Sequence, residues 1–81
     1  MQVRVFVTPR KGILDPQGRA VESSLHSLGF KHVSDVKVGR YITLEIAAAS
    51  AEQAREEARR ICERLLANPV IEDYRFEVEG E

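Results

Sequence analysis

The stretch Leu14-Asp15-Pro16-Gln17-Gly18-Arg19-Ala20-Val21 reads as the junction between a first strand and a first helix, and the rest of the chain orders itself around it. Asp15 suits the N-cap, because its carboxylate can accept from the free N–H groups of the first helical turn. Pro16 fits the first helical position, where a missing N–H costs nothing. Gly18 is the unusual residue. A glycine inside a first turn costs up to ~1 kcal/mol against alanine, so either another backbone approaches closely or the turn is irregular. The junction has a plain reading, an ordinary helix start, and a sharper one, a docking surface for a partner chain.

Upstream, Val3–Thr8 is rich in β-branched residues and reads as a strand. Val3, Val5 and Val7 share one face; Arg4, Phe6 and Thr8 share the other. Phe6 is too large and apolar to face water comfortably, which points to cover by another subunit. Pro9 lacks a donor and ends the pairing.

Downstream, a helix is expected from about Pro16 to Leu28, with Val21, Leu25 and Leu28 as its apolar stripe. Gly29 stands where a left-handed C-cap belongs. In Val36–Ile46 the even positions are mostly apolar, interrupted by Arg40. Two structures fit: one long strand bent or bulged near Gly39, or a hairpin looped through Gly39-Arg40-Tyr41. The pattern favours the bent strand. Tyr41 would share the face of Phe6, and the two residues are expected to mediate self-assembly.

Ser50 with Gln53 matches a capping box. A second helix follows, with Ala51, Ala54, Ala58, Ile61 and Leu65 as its expected stripe. Cys62 beside that stripe reads as a small packing residue. Asn68 and Pro69 end the helix. Tyr74–Val78 is the last strand, with Tyr74, Phe76 and Val78 on one side.

The order is strand, helix, one or two strands, helix, strand. That is an α+β plan, β-α-β(β)-α-β, related to the ferredoxin-like fold, with a small antiparallel sheet and two helices on one face. At 81 residues it is one domain, spanning 1–81. A core this small is marginally stabilising, so association is an expected source of further burial. The net charge is −1, unlike a nucleic-acid binder. No apolar run reaches the length of a membrane span, and the first residues carry no signal-peptide pattern. The single cysteine fits a reducing cytoplasm. No nucleophile–base pair, metal-ligand spacing or phosphate-binding glycine loop is evident.

Three segments carry a family resemblance. They are Val5-Phe6-Val7-Thr8 with Leu14–Gly18 and Ala20-Val21, then Asp35-Val36-Lys37-Val38-Gly39-Arg40-Tyr41, then Cys62-Glu63-Arg64-Leu65-Leu66-Ala67-Asn68-Pro69-Val70-Ile71-Glu72-Asp73-Tyr74. Together they resemble the small PurS subunit of phosphoribosylformylglycinamidine synthase, across almost the whole chain. The resemblance implies a non-catalytic subunit in de novo purine synthesis. It would bridge a glutaminase subunit and an ATP-dependent synthetase subunit, and support ammonia transfer between them. No cofactor is expected in this chain; ATP, Mg²⁺ and glutamine would be used by the complex. Partner contacts are then expected at Asp15, Pro16, Gln17, Gly18, Arg40, Asn68, Pro69 and Glu72, with a homodimer or homotetramer as the self-associated form. Two other classes share the element order: an ACT-like amino-acid-binding regulator, and an RRM-like nucleic-acid module. The acidic terminus Glu77-Val78-Glu79-Gly80-Glu81 speaks against the second.

Overall fold

The computed structural model describes residues 1–80. Three strands, β1 (Gln2–Pro9), β2 (Arg40–Glu45) and β3 (Glu72–Val78), form an antiparallel sheet in the order β2-β1-β3. Two helices, α1 (Pro16–Ser27) and α2 (Ala51–Ile61), complete the α+β plan. The alternation in β1 sets the layers. Val3, Val5 and Val7 are buried. Across the ladder Val3 faces Leu44 and Val78, and Val5 faces Ile42 and Phe76. Directly paired residues in antiparallel strands point to the same side, so these side chains make one apolar face. Ala54, Ala58 and Cys62 of the second helical segment are buried in the same core cluster. Small residues there let the helix axis approach the sheet.

The second helix does not end at Ile61. Cys62–Leu66 continues as a π-helical turn, closed by the Ala67 N–H donating to the Cys62 carbonyl at 2.9 Å. The extra residue in that turn shifts the helical phase. The buried row therefore runs Ala54, Ala58, Cys62, Ala67, while Leu65 is 79% exposed. The expectation that Leu65 continues the apolar stripe is corrected by this phase change. Asn68 likewise lies beyond the helix, because Ala67 has already turned to extended backbone.

The region before β2 is a second correction. Val36–Gly39 is neither the first half of a bent strand nor one arm of a hairpin; the ladder begins at Arg40. The N–H groups that a strand would use go elsewhere. Val36 N–H donates to the Glu22 carboxylate at 3.4 Å, and Val38 N–H to the Asp15 carboxylate at 2.9 Å.

Those bonds lay residues 33–38 alongside α1. The His26 ring Nε2 adds a 2.7 Å contact to the Val33 carbonyl oxygen. The helix ends as expected at Leu28–Gly29, with the Phe30 N–H reaching back to the Leu25 carbonyl at 2.9 Å. Of the helix, only Gly18 is buried. Helix α2 thus provides the expected cover of the sheet, whereas α1 adds no residue to the core cluster. The molecule is correspondingly long and thin, 50 × 25 × 14 Å.

Candidate functional site

Two polar constellations meet at one end of the sheet. The first is the Asp15 junction. One carboxylate oxygen accepts from Gly18 N–H at 3.1 Å, as an N-cap should, and the other accepts from Val38 N–H. The Val38 bond, then the Gly18 bond, hold this carboxyl below its usual pKa, because both favour the charged form. Gly18 is explained within the same chain. A Cβ there would lie 2.3 Å from the Val36 carbonyl oxygen and 2.5 Å from Asp15 Oδ2. The close neighbour inferred from sequence is the chain's own return segment. Pro16 and Gln17 stay exposed beside it.

The second constellation is centred on Glu72, whose side chain is 16% exposed. Its Oε1 accepts from the Asn68 N–H at 2.8 Å and from the Arg40 guanidinium at 3.0 Å. The same guanidinium nitrogen donates to the Leu66 carbonyl at 2.6 Å, one of the groups that the helix end leaves unpaired. The Asn68 carbonyl accepts from Glu72 N–H at 2.7 Å, and its side-chain oxygen from Val70 N–H at 3.1 Å. Arg40, Asn68 and Glu72 therefore form one latch tying β2, the helix end and β3. Pro69 is exposed in the turn between them.

Only Gly39 separates Val38, which is held by Asp15, from Arg40, which is held by Glu72. Gly39 is pressed against β1: a Cβ there would lie 2.1 Å from the Val7 carbonyl oxygen. The expected partner residues are thus brought to one continuous edge. Sequence reasoning missed Arg10, which closes that edge. Its N–H donates to the Ile71 carbonyl at 2.8 Å, and its guanidinium lies 3.5 Å from Asp73. A basic residue directly after a strand-ending proline was the available signal.

Phe6 and Tyr41 lie together on the sheet face opposite α2. Their rings stack with centroids 5.1 Å apart. Arg75, which pairs with Phe6 in the ladder, holds its guanidinium 4.0 Å from the Phe6 ring centre. Arg75 and Arg4 both bond Glu77, at 2.9 and 3.3 Å, and hold its carboxyl below the usual range. Tyr41 remains 59% exposed.

Two titratable side chains near the end of the second helix are shifted upward. Cys62 is buried, and desolvation, then Glu63, pushes its thiol up. Burial also raises Tyr74, helped by its bond to Glu63 at 3.1 Å. Among the described residues no group of three His, Cys, Asp or Glu is placed to hold a metal ion. No described helix is long and apolar enough to cross a membrane.

Fold and site together define a small α+β domain that presents ordered polar and aromatic surfaces. The PurS family model, described as phosphoribosylformylglycinamidine (FGAM) synthase, matches residues 2–80. The PurS subunit of Bacillus subtilis is 45% identical over 96% of this chain and 92% of its own length. That of Methanocaldococcus jannaschii is 39% identical over 93% of this chain and 90% of its own. The solved B. subtilis PurS structure superposes with a TM-score of 0.82 at 46% identity, covering 96% of both chains. A chain in the structure of PurLQS from Thermotoga maritima superposes at 0.83 with 33% identity, covering 94% of this chain and 93% of that one. The chain belongs to the PurS family of phosphoribosylformylglycinamidine synthase.

Proposed function

We infer that this chain is the small, non-catalytic subunit of phosphoribosylformylglycinamidine synthase in de novo purine biosynthesis. It joins the glutaminase and ATP-dependent synthetase subunits and supports ammonia transfer between them. Family membership over residues 2–80 carries this reading, and the likeness to a chain of the T. maritima PurLQS structure places such a subunit in a complex. The enzyme uses glutamine and ATP, with Mg²⁺ accompanying the nucleotide on the synthetase and not on this chain. The setting is the cytoplasm.

The edge from Asp15 to Glu72 is the surface for the other subunits. Asp15 and Glu72 each satisfy internal donors, so the exposed Pro16, Gln17, Asn68 and Pro69 are held on a rigid frame. A surface ordered before contact loses less conformational entropy on binding. Arg40, half-exposed in its latch, offers a charged group on the same edge. Phe6 and Tyr41 serve self-association on the open sheet face.

Gel filtration of the chain mixed with the synthetase and glutaminase subunits, with glutamine and nucleotide present, tests the reading. Co-elution of all three is expected, and it should be lost when Gln17 and Pro69 are replaced by aspartate. Separate elution of the unmodified chain under every ligand condition would contradict the bridging role.

A further inference from the structure

The core does not need the π-turn at Cys62–Leu66. Cys62 and Ala67 are both buried, and the turn spans the step between them. In a regular α-helix, residues four apart already share one face. A chain one residue shorter would therefore keep the row Ala54, Ala58, Cys62, Ala67 in unbroken helix. The surplus residue is Leu65. Without it, Leu66 and Ala67 would follow Cys62 by three and four residues and face the core as they do now, where Leu66 packs against the cluster. Leu65 itself is 79% exposed. Single π-turns inside α-helices are rare and are frequently found at functional sites.

What the turn builds is a groove. Glu57, Arg60, Ile61, Arg64 and Leu65 line an open cleft of about 390 Å³ on the second helical segment. Its apolar part is half-buried Ile61 with exposed Leu65. Its charge is uncompensated. Arg60 and Arg64 are exposed and form no ion pair with a described residue, whereas Arg4, Arg10, Arg40, Arg59 and Arg75 each do. Glu57 is the one carboxylate in the lining, so two arginines against one glutamate leave the groove positive. The groove also adjoins the edge from Asp15 to Glu72. Leu66, the next residue after Leu65, gives its carbonyl to the Arg40 guanidinium at 2.6 Å.

We propose that the π-turn builds a docking groove for another subunit of the synthase, which inserts an apolar side chain at Ile61 and Leu65 and sets a carboxylate between Arg60 and Arg64. This rests on the subunit reading of the adjoining edge and extends that surface round the helix end. The chemistry of the groove selects its occupant. An exposed leucine gains by burial against another apolar group. Two guanidinium groups one helical turn apart can share one carboxylate through charge-assisted hydrogen bonds. A second copy of this chain suits the groove less well. Across a two-fold axis the same patch meets itself, which would set four arginines against two glutamates.

Binding of the purified glutaminase and synthetase subunits to the full chain, measured by titration calorimetry and sedimentation, tests the groove. The Leu65→Gln chain and the Arg60→Gln/Arg64→Gln chain should each bind one of the two subunits about tenfold more weakly, as expected when an interface anchor is removed. Binding by the arginine variant should also depend less on salt. A chain lacking Leu65 should fold with a urea midpoint no lower than that of the unmodified chain, and should show the same loss of binding. Undiminished binding by the Leu65→Gln and arginine variants would overturn the groove while leaving the subunit reading intact. Failure of the unmodified chain to bind either subunit would overturn both. Unfolding of the chain lacking Leu65 would show that the core requires the turn, against the proposal. Weakened self-association of the arginine variant with unchanged subunit binding would assign the groove to a second copy and overturn it likewise.

Discussion

The Asp15 carboxylate accepts the backbone N–H of Val38 at 2.9 Å across 23 residues of sequence. This bond joins the start of α1 to the segment that leads into β2, and its strength follows the charge on Asp15. The carboxyl is held below its usual pKa in the folded chain, so folding favours the ionised form. The stabilisation is present above the unfolded value of about 3.9 and is lost as pH falls through the lower folded value. Thermal midpoints measured between pH 2 and pH 6 should therefore fall as the pH drops below about 4. Asp15→Asn should lower the midpoint at pH 6 and flatten that drop.

Gly18→Ala should destabilise the isolated chain, although helix propensity alone favours alanine by up to ~1 kcal/mol. The added methyl group would meet the Val36 carbonyl oxygen at 2.3 Å. Overpacking of this kind costs about 1–3 kcal/mol. Gly39→Ala should behave alike, against the Val7 carbonyl oxygen. Urea unfolding checks both: the midpoints should fall with the slope unchanged.

The π-turn makes a prediction opposite to that of simple helical spacing. Leu65→Gln should alter stability by no more than about 0.5 kcal/mol, as for an exposed position, since Leu65 is 79% exposed. Ala54→Leu should cost about 1–3 kcal/mol, because Ala54 is fully buried against the sheet. Chemical denaturation of the Leu65 variant distinguishes the observed phase from an uninterrupted α-helix, in which Leu65 would be buried and its replacement costly; Ala54, before the π-turn, is buried in either phase and serves as the control.

Glu72 and Asp73 are neighbours with unequal roles. Glu72→Ala should destabilise by about 1–3 kcal/mol, because it strands the Asn68 N–H and the Arg40 guanidinium at a partly buried latch. Asp73→Ala removes an exposed ion pair with Arg10 and should cost well under about 1 kcal/mol. Equal losses in denaturant melts would mean that the latch adds nothing beyond surface charge.

These cases show what the sequence could carry. The Val3, Val5, Val7 alternation has one face at period two, and the Ser50–Gln53 cap is local chemistry; both are legible from residue spacing. Ser50 accepts from Gln53 N–H at 3.1 Å, and Gln53 reaches back to Ala49 N–H at 2.9 Å. Leu65 departs from simple spacing because a π-turn has no distinctive residue pattern and moves everything after it by one position. Val36 and Val38 alternate like a strand, but their N–H groups are taken by Glu22 and Asp15, partners far away in sequence. The stripe on α1 is plain in the sequence, whereas its position away from the sheet follows from those same long-range bonds. Asp15, Gly18, Arg40, Asn68 and Glu72 could each be picked out singly. Their meeting at one edge depends on the strand order β2-β1-β3, which spacing does not reveal.

The most direct test is to compare glutamine-dependent with ammonia-dependent amidine formation in the reconstituted synthase, with and without this chain. Omitting the chain should abolish turnover with glutamine while leaving turnover with free ammonia on the synthetase subunit largely intact, and adding it back should restore the former. Full glutamine-dependent turnover without the chain would contradict its role as the subunit that couples the two activities.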